Sequence, residues 1–435
     1  MRFVRDAPLR VPMTVAVGIA ALLFAASACV PGVVAGRTWP ASVAMPVDAW
    51  VCGSAALEPA YQPTLFVATD GDDSAAGGSI ETPFRTLQRA LDVARPGDVV
   101  WVRGGVYGAD VEFRTSGLPG RPIVVESHPG ECAIFDGSAL QSAQRIRLIE
   151  VRHVVLRNIE VRNSRSEGIF MLGSHDVVIS HVRTHHNRAS GILSMRGDRN
   201  LFAYVIAHDN VDLPLGGDAD GISISSGDGN RISYCVSFAN SDDGIDTWRS
   251  TNTLVERCIS FDNGRLRGDG NGFKLGGADL VVGTIVRDSI AFANRVDGFD
   301  YNSGRGIELE RNTAFANGRY GFVVSHGVLR GNLSVANGAA ENAPSERGNE
   351  LSWNSWTLGL GAEVFVSIEP GDADFLRIEA EGGAARAGRP SRPDGDAHGH
   401  IGALAPGETI ASVWGVSVEL ARRLPVLLPA ARALP

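Results

Sequence analysis

The chain has 435 residues, 52 of them glycine, with 49 acidic against 40 basic residues and a formal charge of −9. Its apolar content supplies a core, so the chain is globular, and the glycines follow no collagen period. The negative balance argues against nucleic acid as a partner, and it admits an acidic polymer only where a metal or local arginines intervene.

From the N-terminus, Arg2, Arg5 and Arg10 lead into an apolar run over 13–25, and Ala26-Ser27-Ala28 suits a small-residue cleavage site. Residues 1–28 are therefore an expected export signal and the mature protein is expected to be secreted. Cys29 follows at once, which makes a lipid-anchored or periplasmic form the alternative. Residues 29–62 read as a linker. An exported chain can pair Cys52, Cys132, Cys235 and Cys258, and spacing does not choose among the connectivities. No Cys-x-x-Cys occurs, so zinc is not expected.

Residues 63–345 read as one solenoid domain, opened by a cap over 63–126. Leu65-Phe66-Val67 is a predicted strand. Thr82 followed by Pro83 predicts a helix start, and Phe84, Leu87, Leu91 and Ala94 give that helix one apolar face. Arg95-Pro96-Gly97-Asp98 stops it, and Val99-Val100-Trp101-Val102 returns to strand.

From about residue 150 the chain repeats. Val236-Ser237-Phe238-Ala239-Asn240 recurs in kind up to Asn263, Asn294 and Asn317, with weaker copies ending at Asn163, Asn187, Asn210 and Asn337. A second marker, Gly then an apolar residue, follows at Gly168, Gly191, Gly221, Gly244, Gly272, Gly298 and Gly321, in steps of 23, 30, 23, 28, 26 and 23. That period is too short for tetratricopeptide or ankyrin units, and the leucine-rich frame is absent. A parallel β-helix fits: each turn supplies about three short strands that pair with their equivalents in the next coil. The asparagines would then stack as a ladder of amide hydrogen bonds. Cys235 and Cys258, 23 apart, would stack as buried small side chains. Beyond 345 the period fades, and 346–435 reads as an irregular C-terminal capping region and tail, with loop over 380–400 and a terminal amphipathic helix over 410–432.

Aligned on the marker glycine, the preceding residue runs Glu167, Ser190, Asp220, Asp243, Asn271, Asp297, Tyr320. The residue two beyond it runs Phe170, Leu193, Ser223, Asp246, Lys274, Asp300, Val323. Acids gather in the middle coils, where Asp220, Asp242, Asp243 and Asp246 converge beside Lys274, the only lysine in the chain. Gathered carboxylates call for a hard cation, and Ca²⁺ accepts irregular oxygen geometry. An ammonium can lose its proton and act as a base, whereas a guanidinium cannot, so a lone lysine there is a candidate general base. The two longest insertions, Asn210 to Gly221 and Asn263 to Gly272, flank the cluster and would wall a cleft. Arg249, Arg265 and Arg267 suit substrate carboxylates or plain solvated charge. Trp248 suits a sugar ring or packing against the coil.

Residues 205–325 resemble polysaccharide lyase family 9, the pectate-lyase family with a right-handed parallel β-helix. The resemblance is carried by Asn240-Ser241-Asp242-Asp243-Gly244-Ile245-Asp246, by Asn271-Gly272-Phe273-Lys274-Leu275-Gly276-Gly277 and by Asp297-Gly298-Phe299-Asp300. It implies Ca²⁺ ligands at Asp220, Asp242, Asp243 and Asp246, with Asp218 as the alternative to Asp220, and a Brønsted base at Lys274. The implied enzyme is a secreted, monomeric, calcium-dependent lyase that cleaves polygalacturonate by β-elimination. The alternatives are a lyase or epimerase acting on alginate or a bacterial acidic polysaccharide, and a non-catalytic carbohydrate-binding β-helix in which Lys274 is dispensable.

Overall fold

The computed structural model describes residues 52, 61–74, 78–139, 146–338, 348–369, 372–385 and 400–414, all within one compact unit. The expected signal segment 1–28, Cys29, most of 29–62 and most of the expected terminal helix lie outside the described residues.

Leu65–Val67 pairs in parallel with Val99–Val102 as expected. The helix between them starts later than the Thr82-Pro83 signal suggests. Phe84 stays extended, donating its N–H to Phe66 O and accepting from Ala68 N, each at 2.9 Å. Only after that pairing does the chain turn, and the helix runs Leu87–Val93 with Thr86 as its cap, accepting from Arg89 N. Asp73 fixes the turn by accepting from the backbone of both Arg85 and Thr86. The expected apolar face is buried nonetheless, through Phe84, Leu87, Leu91 and Ala94.

The rest is a parallel β-helix. One coil consists of Arg231–Ser233, Val236–Phe238 and Ile245–Trp248, and each strand pairs in parallel with its equivalent in the next coil. Interior residues stack in columns; Phe273, Phe299 and Phe322 lie ring on ring at 4.7 and 4.9 Å. Asn187, Asn210, Asn240, Asn263, Asn294, Asn317 and Asn337 form the expected ladder, each Nδ2 donating to the next Oδ1 at 2.8–3.0 Å. Asn163 does not join it: its amide turns to Asp136, and Ser164 takes the ladder position, donating its backbone N–H to Asn187 Oδ1. The marker glycine is explained by the same packing. A Cβ on Gly244 would lie 1.8 Å from Ser260 Oγ and 2.7 Å from the Asn263 amide, so only glycine lets the turn close onto the ladder.

Cys52 is bonded to Cys132, while Cys235 and Cys258 are free, buried and stacked, as expected. The coils run past 345. Glu350–Ser352 still pairs with Val328–Arg330, and the short helix Ser355–Leu358 follows it. The later described residues lie against the stack. They cover its flank: Phe365 and Phe375 meet the outward ladder Phe261, Phe292, Phe315 edge to face, and Trp414 is buried in the same second core. That ladder continues upward through Phe238 and His208 to His185. The segment therefore closes over apolar surface that the repeat itself exposes.

Candidate active site

The cluster sits on a nine-stranded parallel sheet that includes Ile192–Met195, Ile222–Ser225, Ile245–Trp248, Phe273–Gly276 and Phe299–Asp300. Its register is the alignment read from the sequence: Leu193 pairs with Ser223, Ser223 with Asp246, Asp246 with Lys274, Lys274 with Asp300 and Asp300 with Val323. Side chains alternate across a strand, so Ile245 and Phe273 fill the core while Asp246 and Lys274 point out of it.

The column before the marker glycine makes a second ladder that spacing alone did not reveal. Each side chain accepts from the backbone N–H one coil on: Ser190 from Asp220 (3.1 Å), Asp220 from Asp243 (3.1 Å), Asp243 from Asn271 (2.7 Å), Asn271 from Asp297 (3.2 Å) and Asp297 from Tyr320 (3.0 Å). This is why acids are tolerated inside the wall: backbone satisfies one oxygen, and the other meets a further group, Lys274 at Asp243 and Arg319 at Asp297.

Carboxylate oxygens of Asp220, Asp243 and Asp246 lie within 4.8 Å of one another, and all three residues are buried. Asp242 belongs to an adjoining group with Asp243 and Asp269. Asp218 is exposed, while Asp220 is buried in the cluster. Burial is the largest influence on all four acids and pushes their carboxyls up, with mutual repulsion adding to it; Asp242 is pushed up to about 7. Among the described residues, Asp246 Oδ1 is buried without a hydrogen-bond partner. Buried, crowded, under-satisfied oxygens of this kind fit a hard cation.

Lys274 Nζ reaches Asp269 Oδ2 at 2.7 Å, Asp243 Oδ2 at 3.1 Å and Asp246 Oδ2 at 3.9 Å. Burial presses the ammonium toward its neutral form, but Asp243, Asp246, Asp269 and Asp220 outweigh it and hold its pKa well above the ordinary lysine value. Without a cation among the acids, Lys274 is therefore charged. Asp300, its partner on the following strand, is pushed up chiefly by burial.

The two insertions meet over the cluster, where Arg267 N donates to Leu215 O at 3.0 Å. Asp212 staples the first insertion, accepting from Gly217 N, Asp218 N and Ser241 Oγ. In the second, Asp269 donates its backbone N–H to Asp242 while its side chain meets Lys274. In the sequence Asp269 is simply an acid within the second insertion. Arg265 is bound to Asp209 at 2.7 Å and Asp262 at 2.9 Å. It anchors the loop through both pairs. Arg267 is exposed. Arg249 lies over the Trp248 ring, 5.1 Å from its centroid. Trp248 faces the same side of the sheet as Asp246, partly exposed. Gly277, at φ +135°, leaves it room; a Cβ there would come 2.6 Å from the indole.

A solenoid with a loop-walled cleft of acids and one lysine is a carbohydrate-active β-helix, and comparison with known proteins narrows the class to the polysaccharide lyases. Residues 65–337 match the Pel9A-like, right handed beta helix region, and the chain belongs to that family. Pectate lyase PEL9 of Emericella nidulans is 31% identical over 376 residues, 73% of this chain and 91% of that protein. Pectate lyase L of Paenibacillus polymyxa is 30% identical over 391 residues, 78% and 85% of the two chains. The crystal structure of pectate lyase Pel9A superposes with a TM-score of 0.72 at 26% identity, covering 82% of this chain and 100% of that one.

Proposed function

We propose that this polysaccharide lyase is an exported, calcium-dependent enzyme that cleaves polygalacturonate by β-elimination, with Lys274 as the base. The observation that carries this reading is the placement of the only lysine, in strand register with Asp246 and 3.1 Å from Asp243. Pectate lyase relatives at about 30% identity over most of their length support the polymer. The Cys52–Cys132 bond supports an oxidising compartment.

Asp220, Asp243 and Asp246 would hold the ion, with Asp242 at its edge. Bound calcium would offset the acids' charge and, by taking a uronate carboxylate, acidify the proton on the adjacent carbon. Lys274 then faces weaker opposition to losing its own proton, and its outward position lets Nζ remove the C5 proton. The electron pair left on C5 forms the C4–C5 double bond as the 4-linked sugar leaves, taking a proton from solvent. Trp248 offers a ring-stacking platform two residues from Asp246.

The test is incubation of purified protein with polygalacturonate and calcium, following ultraviolet absorbance of the unsaturated product. A rise that stops on chelation is expected. Product from alginate but none from polygalacturonate would replace the polymer, and activity indifferent to chelation would remove the ion.

A further inference from the structure

We propose that Arg319 is a specificity-determining residue that binds the carboxylate of the uronate next to the one Lys274 deprotonates. This rests on the uronan-lyase reading of the same cleft. Arg319 lies in the turn before marker Gly321, at the repeat position that the two insertions occupy in earlier coils. Its side chain reaches back one coil to Asp297, which is fully buried, and pairs with it through Nε (2.9 Å) and Nη2.

That contact places the guanidinium at the level of the Lys274 coil's neighbour. Asp297 stands to Asp300 as Asp243 stands to Asp246, and Asp300 is the strand partner of Lys274. Asp243 reaches Lys274 Nζ from this column, so a guanidinium held at Asp297 flanks the base on the side away from the acid cluster. The side chain is half exposed and lies over the Tyr320 ring at 5.1 Å. Asp297 uses only one edge of the fork, and among the described residues the Nη1 edge has no partner. An arginine locked on one edge and open on the other is pre-organised for bidentate binding of a carboxylate.

The cleft then has two carboxylate stations on either side of Lys274, the acid cluster with its cation and the Arg319 fork. A chain running along the coils would have to be acidic at both. Neutral or methyl-esterified sugar at the second station would leave the fork's open edge unanswered.

Removing Arg319 alone would strand buried Asp297, so the test is the double variant Arg319→Gln with Asp297→Asn. Asn271 occupies the same ladder column and accepts the same backbone bond, so the double variant is expected to fold with a near-native thermal midpoint. With calcium and polygalacturonate, KM should rise about tenfold or more while kcat stays within about threefold. The wild-type preference for unesterified over partly methyl-esterified chains should narrow. A folded double variant with wild-type KM and preference would overturn this inference alone and leave Arg319 as a counter-ion. Wild-type protein inert on polygalacturonate would overturn the polymer reading and this inference with it.

Discussion

Asp269 Oδ2 lies 2.7 Å from Lys274 Nζ, closer than any other acid to the one lysine in the chain. It reaches there from the second insertion, whose start is anchored by Arg265 to Asp209 and Asp262 and whose end donates to Asp242. Asp269 is largely exposed, unlike the buried acids beneath it. It adds negative charge at the ammonium without being built into the wall. Removing that charge lowers the lysine's pKa. Asp269→Asn should keep the backbone bond to Asp242 and move the acidic limb of the kcat–pH profile to lower pH. An unmoved limb would mean that Asp269 is not a significant determinant of the protonation of Lys274 during turnover.

Lys274→Arg keeps a positive charge beside Asp243 and Asp269 but removes the base. Its kcat on polygalacturonate should fall by roughly 10²–10⁴-fold, the usual weight of a general base. The thermal midpoint should stay close to wild type, because both ion pairs can re-form. Activity within a few-fold of wild type would assign the base elsewhere.

These experiments address residues that were visible in the chain to different degrees. Gly and Asn recur because stacking leaves no room for Cβ at Gly244 and demands an amide at Asn240, so coil register, and with it the pairing of Asp246 with Lys274, could be counted from the sequence. Where a local contact replaces the repeat, counting fails. Asn163 yields to Ser164 because Asp136 takes its amide. The helix waits for Leu87 because Phe84 is still in the sheet. Asp269 and Arg319 do not stand out in the sequence for a related reason. Both lie in turns, outside the repeating columns, and only the folded path of each turn shows where its side chain ends.

Asp246 illustrates a site that is costly to the protein without its ion. Burial pushes its carboxyl up, and Asp243 and Asp242 add to the push against the opposition of Lys274. Asp246→Asn relieves that conflict. In the presence of chelator the variant should melt several degrees above wild type. It should also lose the calcium-induced rise in midpoint and most of its activity. Thermal melts with calcium and with chelator decide this. An undiminished calcium response would place the ion away from Asp246.

His208 gives the flank its own pH dependence. Its ring lies in the outward ladder, 4.8 Å from His185 and 4.7 Å from Phe238. Arg183 Nε donates to its Nε2 at 3.1 Å, and an arginine only donates, so Nε2 accepts and Nδ1 carries the proton toward Asp209 Oδ2 at 2.7 Å. Burial is the main reason its pKa falls to about 4. His185 and Arg183 push the same way and Asp209 opposes, while His186 packs edge-on at 6.1 Å. The unfolded chain, with an ordinary histidine near 6.5, binds the proton first. Stability from His208 is therefore present above pH 6.5 and is lost as pH falls from there toward 4. His208→Phe, which continues the Phe238 stack, has no proton to gain. Its thermal midpoint should hold better than wild type across that window, by a few degrees near pH 4.5. The raised acids of the cluster contribute with the opposite sign as pH falls, but they are common to both proteins and cancel in the difference. Parallel midpoint–pH curves for the two would show that His208 does not set the acid sensitivity of the flank.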